Sequence, residues 1–435
     1  MACGEDNKYH KSNYKKKSLC NYMSYRGVAV PGTGIEPVRI APSVFETDAS
    51  TDSAIRALRR KDTNFSVHMQ SFRIFVGPLA DKVQPRTIHS TDFNMKKTLL
   101  IVGAGGFIGG FIASEALRRG YETWAGVRPS TSRRWLGQEG LHIVDFDYDD
   151  PDAIAATLRR EAPSPQGWDF IIWNLGATKC ANFRDFNRIN YEYVRDFTEV
   201  LHEVGMLPER FLYMSSLSAL GPGDEKTYAP LTSATVPNPN TRYGLSKIKA
   251  ETCLELQPDL RWTIFRPTGV YGPHEKDYLM MIKSIDAGWD FGVGYRRQML
   301  TFIYVADLVD AMFLALNTPA TLHRKYILSE DRAYSQADFR RLTARLLGRR
   351  FVIPVRLPLW AAYVASVVAE KVAALQGKAS TLNRDKYRIM RQRNWNCDIS
   401  DARRDFGFTP HWSLERGLQA TVEAYRETKN KKDKK

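Results

Sequence analysis

The chain has 435 residues, 43% of them apolar and 26% charged, with a formal net charge of +15. That is enough apolar material to bury a full core, and it excludes a wholly disordered protein. Five scattered cysteines, with no CxxC pair, exclude a disulfide scaffold and a Cys-rich zinc site, and suit a reducing cytosol.

Much of the charge sits at the ends. Residues 1–94 carry a net +5 and the tail 429–435 a net +4, so the stretch between them is close to balance. A nucleic-acid reader gathers basic charge on its folded domain, so no nucleic-acid partner is expected. The apolar run Leu357–Ala369 is shorter than the roughly 20 residues a membrane-crossing helix needs.

In chain order, residues 1–94 show no sustained helical or strand period and are rich in Pro and Gly around 31–42. They are expected to be a disordered extension or an over-long gene model. From Met95 the pattern changes. Short apolar runs at Leu99–Val102, Thr123–Val127, His142–Val144, Phe170–Trp173, Phe211–Met214 and Trp262–Phe265 alternate with helical stretches such as Phe107–Arg119 and Tyr191–Val204. Such alternation predicts an α/β fold, a doubly wound parallel sheet covered on both faces.

Gly103, Gly106 and Gly109 follow the first strand and open the first helix. That placement suits a dinucleotide: a tight turn, a close backbone approach to pyrophosphate and a close helix–strand contact, with helix N–H groups at Phe107 and Ile108 facing the phosphates. After the second strand comes Arg128 rather than the acidic residue of an NAD site, which favours a 2′-phosphate and hence NADP over NAD. Asp147 and Tyr148 follow the third strand, where such folds contact adenine.

Tyr243 and Lys247 stand one helical turn apart. The spacing alone is weak, since Tyr425 and Lys429 match it in a polar C-terminal helix. Tyr243 differs because Ser216 ends a strand 27 residues earlier, at the sheet edge where α/β folds bind ligands. The expected chemistry is proton exchange by a phenol that the Lys247 ammonium acidifies, with the Ser216 hydroxyl on the substrate oxygen.

Together with Asn174, Gly176, Ala177, Asn190, Ser215, Arg266-Pro-Thr-Gly-Val-Tyr-Gly-Pro273 and Phe302–Asp307, these motifs make residues 95–425 resemble the extended short-chain dehydrogenases/reductases, of the NAD-dependent epimerase/dehydratase and 3β-hydroxysteroid dehydrogenase type. The resemblance implies a Rossmann-like domain over 95–270 with later strand segments around 300–330. It implies a smaller substrate domain over 271–425, then a basic tail at 426–435. It also assigns cofactor contacts to Gly176, Ala177, Asn190, Ser215, Pro267, Gly269 and Val270, and to Asn174, where many relatives have His. Ser218, Tyr271 and His274 become candidate substrate contacts, and Asp307 a structural residue. No metal-binding cluster stands out in the sequence.

Leu217 and Ser218 occupy positions where sugar-nucleotide 4,6-dehydratases carry an Asp-Glu pair, so elimination is not expected. Arg266 is followed by Gly269 instead of the Asn of many sugar-nucleotide enzymes. Phe351–Gln376 is apolar. Its first expectation is a core helix of the substrate domain; its alternative is a helix that lines an apolar pocket or rests on a membrane surface. The overall expectation is a cytoplasmic, membrane-peripheral reductase or dehydrogenase. It would interconvert a secondary alcohol and a ketone with NADP, or with NAD, on a steroid- or lipid-like substrate, ceramide-type ketones included. The rival is a nucleotide-sugar epimerase with tightly bound NAD. Expected partners are a small hydrophobic molecule and a second copy in a homodimer.

Overall fold

The computed structural model describes residues 96–433 apart from 181, 377–379 and 381. The expectation for 1–94 falls outside them. In chain order the elements are β1 (Thr98–Val102), α1 (Phe107–Arg118), β2 (Glu122–Val127), β3 (Leu141–Asp145), α2 (Pro151–Glu161), β4 (Phe170–Trp173), α3 (Phe183–Asn187), a π-helical turn (Arg188–Glu192), α4 (Tyr193–Glu203), β5 (Arg210–Met214), a 3₁₀ turn (Leu217–Ala219), α5 (Arg242–Glu255) and β6 (Trp262–Pro267). Then follow β7 (Gly269–Tyr271), α6 (Lys276–Asp286), β8 (Trp289–Val293), β9 (Met299–Tyr304), α7 (Val305–Leu316), β10 (Arg324–Leu328), β11 (Ala333–Ser335), α8 (Gln336–Leu347), β12 (Ile353–Leu357), α9 (Leu359–Leu375), α10 (Arg384–Arg391), α11 (Ser400–Phe406) and α12 (Leu414–Asp433).

Seven strands form one parallel sheet in the order β3-β2-β1-β4-β5-β6-β10. Leu99 and Ile101 face one layer, with α1 and α7; Leu100 and Val102 face the other, with α2, α4 and α5. Both faces are covered, so β1 reads as an unbroken apolar run rather than an alternation. The strand order reverses between β1 and β4. That opens a crevice at their carboxyl ends, where such folds take ligands. β9 sits between β7 and β11 in a small three-stranded sheet, and β8 pairs with β12 in a two-stranded one.

Several elements differ from the pattern reading. The helical stretch expected over Tyr191–Val204 begins earlier, as α3, and passes through the π turn before α4. The tail expected as a separate basic segment continues α12 as far as Asp433. The apolar C-terminal helix α9 is not a core helix, since its large apolar side chains lie mostly on the outside. No helix among the described residues is long and apolar enough to cross a membrane.

Beneath the sheet edge lies a buried ion pair. The Arg266 side chain of β6 donates to both carboxylate oxygens of Glu251 on α5, with its Nε 3.1 Å from each. Ser215 donates to the same carboxylate. Removing one partner strands a buried charge, and in such pairs that costs about 3–5 kcal/mol. Arg266→Met is therefore expected to lower the urea midpoint sharply, and adding Glu251→Gln to restore most of it. Equal midpoints for the single and double variants would contradict this account.

Candidate active site

The glycine turn is shaped by three close approaches. Gly103 has φ +87°, and a Cβ there would lie 2.6 Å from Leu175 N. A Cβ on Gly109 would lie 2.5 Å from Gly103 O, so α1 packs directly on the turn. Gly106 is different: a Cβ there would meet only Gly103 O, at 3.6 Å, so its open side faces the crevice. Gly106 is also the N-cap of α1 and has no side chain to cap it. The first N–H groups, at Phe107 and Ile108, are therefore presented as an anion site, and the residues present fit a dinucleotide pyrophosphate. Asn174 supports the turn: its backbone N–H donates to Val102 O at 2.9 Å and its Nδ2 to Gly103 O at 3.4 Å.

The turn after β4 joins this crevice to the candidate catalytic side chains. Leu175 backs onto Gly103. The next residue, Gly176, has space for a Cβ only 2.9 Å from Lys247 Nζ and 3.1 Å from Asn190 Oδ1. Asn190 sits in the π turn, a local widening of the helix that often marks functional positions. Its Oδ1 accepts from Ala177 N at 2.7 Å, and its Nδ2 donates to Ala177 O and to Ser246 Oγ at 3.0 and 2.9 Å. Ser246 then donates to Tyr243 O at 2.7 Å. Both Nδ2 protons are in use, so Asn190 ties the β4 turn to α5.

Tyr243 occupies the first turn of α5. Thr241 caps that helix by accepting from Gly244 N at 3.0 Å. Asp385, on α10, caps it from outside: it accepts from Arg242 N at 2.8 Å and Tyr243 N at 3.3 Å. Asp385 is a positioning residue that sequence reasoning missed, because nothing local links positions 142 apart; Thr241 before Arg-Tyr-Gly was readable as an N-cap.

The Tyr243 phenol lies near enough to Ser216 for that hydroxyl to act on its titration. Ser216 itself caps the 3₁₀ turn, its Oγ accepting from Ser218 N at 3.2 Å. Burial pushes the Tyr243 phenol up to about 12, and the Ser216 hydroxyl works against that shift. The expectation that Lys247 acidifies the phenol is thus not met in the protein alone, where loss of water outweighs any ammonium effect. The Lys247 ammonium is driven down to about 7, chiefly by burial, with Glu251 pulling the other way. It donates to Met214 O at 2.8 Å and lies 4.9 Å from the centre of the Tyr213 ring.

Other sequence candidates separate into groups. Arg128 is exposed at the end of β2, and its backbone N–H donates to Thr131 Oγ1 at 3.3 Å. Asp147 is exposed, but Tyr148 turns its ring into the core against Phe146, Trp173 and Tyr193, so its side chain is not an adenine contact. Ser215 and Pro267 lie at the carboxyl ends of β5 and β6. Gly269 and Val270 begin β7, with Gly269 pressed against the Tyr278 hydroxyl. Tyr271 is a core residue and not a substrate contact; its ring packs among Tyr278, Phe302 and Tyr304 and its hydroxyl donates to Ser413 O at 3.3 Å. His274, at φ +78°, lies against Trp135 with ring centres 3.9 Å apart. It lines a cavity of about 860 Å³ beside Gly105 and Gly106, not the Ser216–Tyr243 pair. Arg134 and Lys276 also line that cavity, as do Lys179 and Lys283, which were not singled out from sequence. Asp307 accepts from the N–H groups of His411 and Trp412 at 3.0 and 2.9 Å, a structural clamp. No group of residues that could hold a metal occurs among the described residues.

Comparison with known proteins yields three kinds of match. The sequence model of the NAD dependent epimerase/dehydratase family matches residues 99–328, more than half of the chain. An uncharacterised protein of Sinorhizobium fredii is 22% identical over 349 residues, covering 75% of this chain and 94% of its own. A 2-alkyl-3-oxoalkanoate reductase of Shewanella oneidensis is 23% identical over 349 residues, with shares of 73% and 84%. The solved UDP-glucose 4-epimerase of Thermotoga maritima, with UDP-glucose, superposes with a TM-score of 0.62 at 19% identity over 76% of this chain and 99% of that one, a likeness of fold.

The Lys247 shift has a thermodynamic consequence. An unfolded lysine titrates near 10.4. Between about 7 and about 10 the unfolded chain binds more protons than the folded one, so Lys247 makes stability rise with pH over that window. Above about 10 the raised Tyr243 reverses the sign, because the folded phenol keeps a proton that the unfolded one sheds. Melting curves at pH 7 and 9 are expected to show a smaller gain in Lys247→Met than in the parent. An identical gain would exclude Lys247 as a source.

Proposed function

Since the chain belongs to the NAD dependent epimerase/dehydratase family and is an NAD(P)-dependent enzyme of the extended short-chain dehydrogenase/reductase type, we propose that it reduces a ketone to a secondary alcohol, drawing on NADPH. The observation that carries the reading is the Tyr243 phenol on the first turn of α5, pushed up to about 12 by burial, with the Ser216 hydroxyl acting on it in the opposite sense. A neutral phenol is a proton donor, which ketone reduction requires.

The glycine turn with Phe107 and Ile108 would hold the pyrophosphate, and Arg128 a 2′-phosphate. When bound, the nicotinamide supplies the hydride. The Ser216 hydroxyl orients the substrate carbonyl and donates to its oxygen as negative charge grows. Tyr243 delivers the proton to that same oxygen. Lys247, held by Met214 O, moves its own proton within reach of neutral pH and supports the phenolate that Tyr243 becomes. At positions 217 and 218, Leu and Ser offer no carboxylate for removing water, so the chemistry stops at the alcohol. We favour an apolar, lipid-like ketone. The support is the apolar C-terminal segment and the likeness to the 2-alkyl-3-oxoalkanoate reductase of Shewanella oneidensis.

Bound-nucleotide content and coenzyme kinetics test this reading. The protein is expected to purify without stoichiometric nucleotide and to oxidise NADPH in the presence of alkyl ketones. Tyr243→Phe should lower kcat by about 10²–10⁴-fold and leave NADPH affinity unchanged. NAD bound one-to-one after denaturation and release would point to an epimerase instead. Arg128→Ala is expected to raise KM for NADPH by about tenfold while KM for NADH stays put, the scale of one charge-assisted hydrogen bond. Parallel changes for both coenzymes would remove the 2′-phosphate role.

A further inference from the structure

Helix α9 is turned inside out relative to a water-facing helix. Its inward stripe is small or polar: Ala362 is 4% exposed, Ser366 is fully buried, and Glu370 pairs with Arg384. Its outward stripe is large and apolar: Trp360 is 73% exposed, Val368 54% and Leu375 89%, with Tyr363, Val364 and Val372 between them. An amphipathic helix in water has the opposite arrangement.

The face continues beyond the helix. Only Pro358 separates α9 from β12, and a Cβ on Gly294, just after β8, would lie 3.3 Å from Leu359 Cδ2. In the β8–β12 pair, Ile353 stands opposite Trp289 and Val355 opposite Phe291, so these four side chains share one side. Trp289, Phe291 and Ile353 are exposed on it. A joined apolar surface of this kind is unusual on a protein that meets only water.

Charge indicates what covers it. The segments 289–297 and 349–376 contain two acidic residues, Asp290 and Glu370, and six basic ones: Arg296, Arg297, Arg349, Arg350, Arg356 and Lys371. Both acidic residues are engaged in ion pairs, Asp290 with Arg356 and Glu370 with Arg384; Arg349 is likewise paired with Asp286 and Arg296 with Glu225, which leaves Arg297, Arg350 and Lys371 as the uncompensated charges among the described residues. The rim is therefore cationic. A second copy docked by a two-fold axis would bring the same positive rim against itself. An anionic lipid surface complements it, and Trp and Tyr suit the headgroup boundary.

We propose that α9 and the outward side of β8–β12 form a docking surface for an anionic membrane, with α9 lying in the interface plane and Trp360, Tyr363, Val364, Val368 and Val372 entering the headgroup–acyl boundary. The surface is distinct from the reductase chemistry, and its test needs no turnover. The full chain is mixed with vesicles of equal parts phosphatidylcholine and phosphatidylglycerol and floated on a density gradient. It is expected to float with them, to float less with pure phosphatidylcholine, and to shift its tryptophan emission to the blue. The triple variant Trp360→Ser, Val364→Ser, Val368→Ser should cut capture at least about tenfold while keeping the parent's melting temperature, since these side chains lie on the surface. High salt should weaken capture without abolishing it. Three results would overturn the proposal. One is no flotation of the parent; the second is capture that salt alone abolishes or that the triple variant retains, which would assign it to the lysine tail. The third is a solution dimer that the triple variant dissolves.

Discussion

Lys247 carries its ammonium into a space from which water is nearly excluded, and the neighbouring structure is arranged to keep it there. Met214 O accepts from it at the end of β5, and the Glu251 carboxylate one turn along α5 opposes the loss of charge. Gly176 leaves room for the ammonium, since a Cβ there would fall 2.9 Å from Nζ and displace it. A buried, unpaired cation is among the costliest groups a protein can hold, so each of these contacts constrains where α5 can lie. Once α5 is fixed, so is Tyr243, one turn earlier on the same face. The Asn190 amide then locks the β4 turn to the same helix, and the glycine crevice and the phenol become parts of one rigid edge.

Where the chemistry depends on local spacing, the sequence was legible. Three glycines between a strand and a helix, a Tyr and a Lys four apart, and a Ser at a strand end each have a short-range geometry that fixes what they can do. The parallel sheet was legible for a related reason: strands buried on both faces leave continuous apolar runs such as Leu99–Val102. What escaped was long-range or concerned orientation. Asp385 reaches the α5 N-terminus from 142 positions away. Nothing local announces that the helix bearing Asn190 widens into a π turn there, and that turn brings the amide to Ala177. Tyr148 follows β3 as an adenine contact would, yet its ring joins the Phe146–Trp173 cluster, because an aromatic side chain gains more from core packing than from a polar rim. Composition marked α9 as apolar but not which way its apolar side points.

The two titrating groups of the site move apart. Burial raises the phenol from 10.0 to about 12 and lowers the ammonium from 10.5 to about 7, so loss of water alone widens the gap between a proton donor and its nearest basic neighbour. The same loss of water sets both values, which is why the acidified phenol expected from Tyr and Lys on one helical face does not arise in the protein by itself. Pairing one charge beside a buried group lowers its neighbour only if that charge survives burial, and here the survival of the Lys247 charge at neutral pH is itself in balance. A partner with negative charge beside Lys247, such as a growing alkoxide relayed through Tyr243, tips that balance toward the ammonium, and the phenol then becomes the easier group to deprotonate. Proton transfer is favoured when the reaction develops charge, and not before.

The first turn of α5 is also where the outer surface of the molecule reaches the chemistry. Arg242 precedes Tyr243 and lies 3.8 Å from Glu370, which belongs to the inward stripe of α9; Glu370 is held in turn by Arg384, the neighbour of Asp385. The polar residues that α9 turns inward therefore end, through two ion pairs and one cap, at the backbone N–H of the proton donor. A helix evolved only to shield a core would have no use for a glutamate and a serine on its buried side and valines on its exposed one. Here the inward glutamate anchors the helix to α5 and α10, and the outward valines are left exposed. If what covers them is lipid, a ketone dissolved in it arrives beside the helix that holds the phenol. An apolar substrate, a cationic rim and an inverted helix then answer one physical requirement: moving a water-averse molecule into a polar active site without passing it through water.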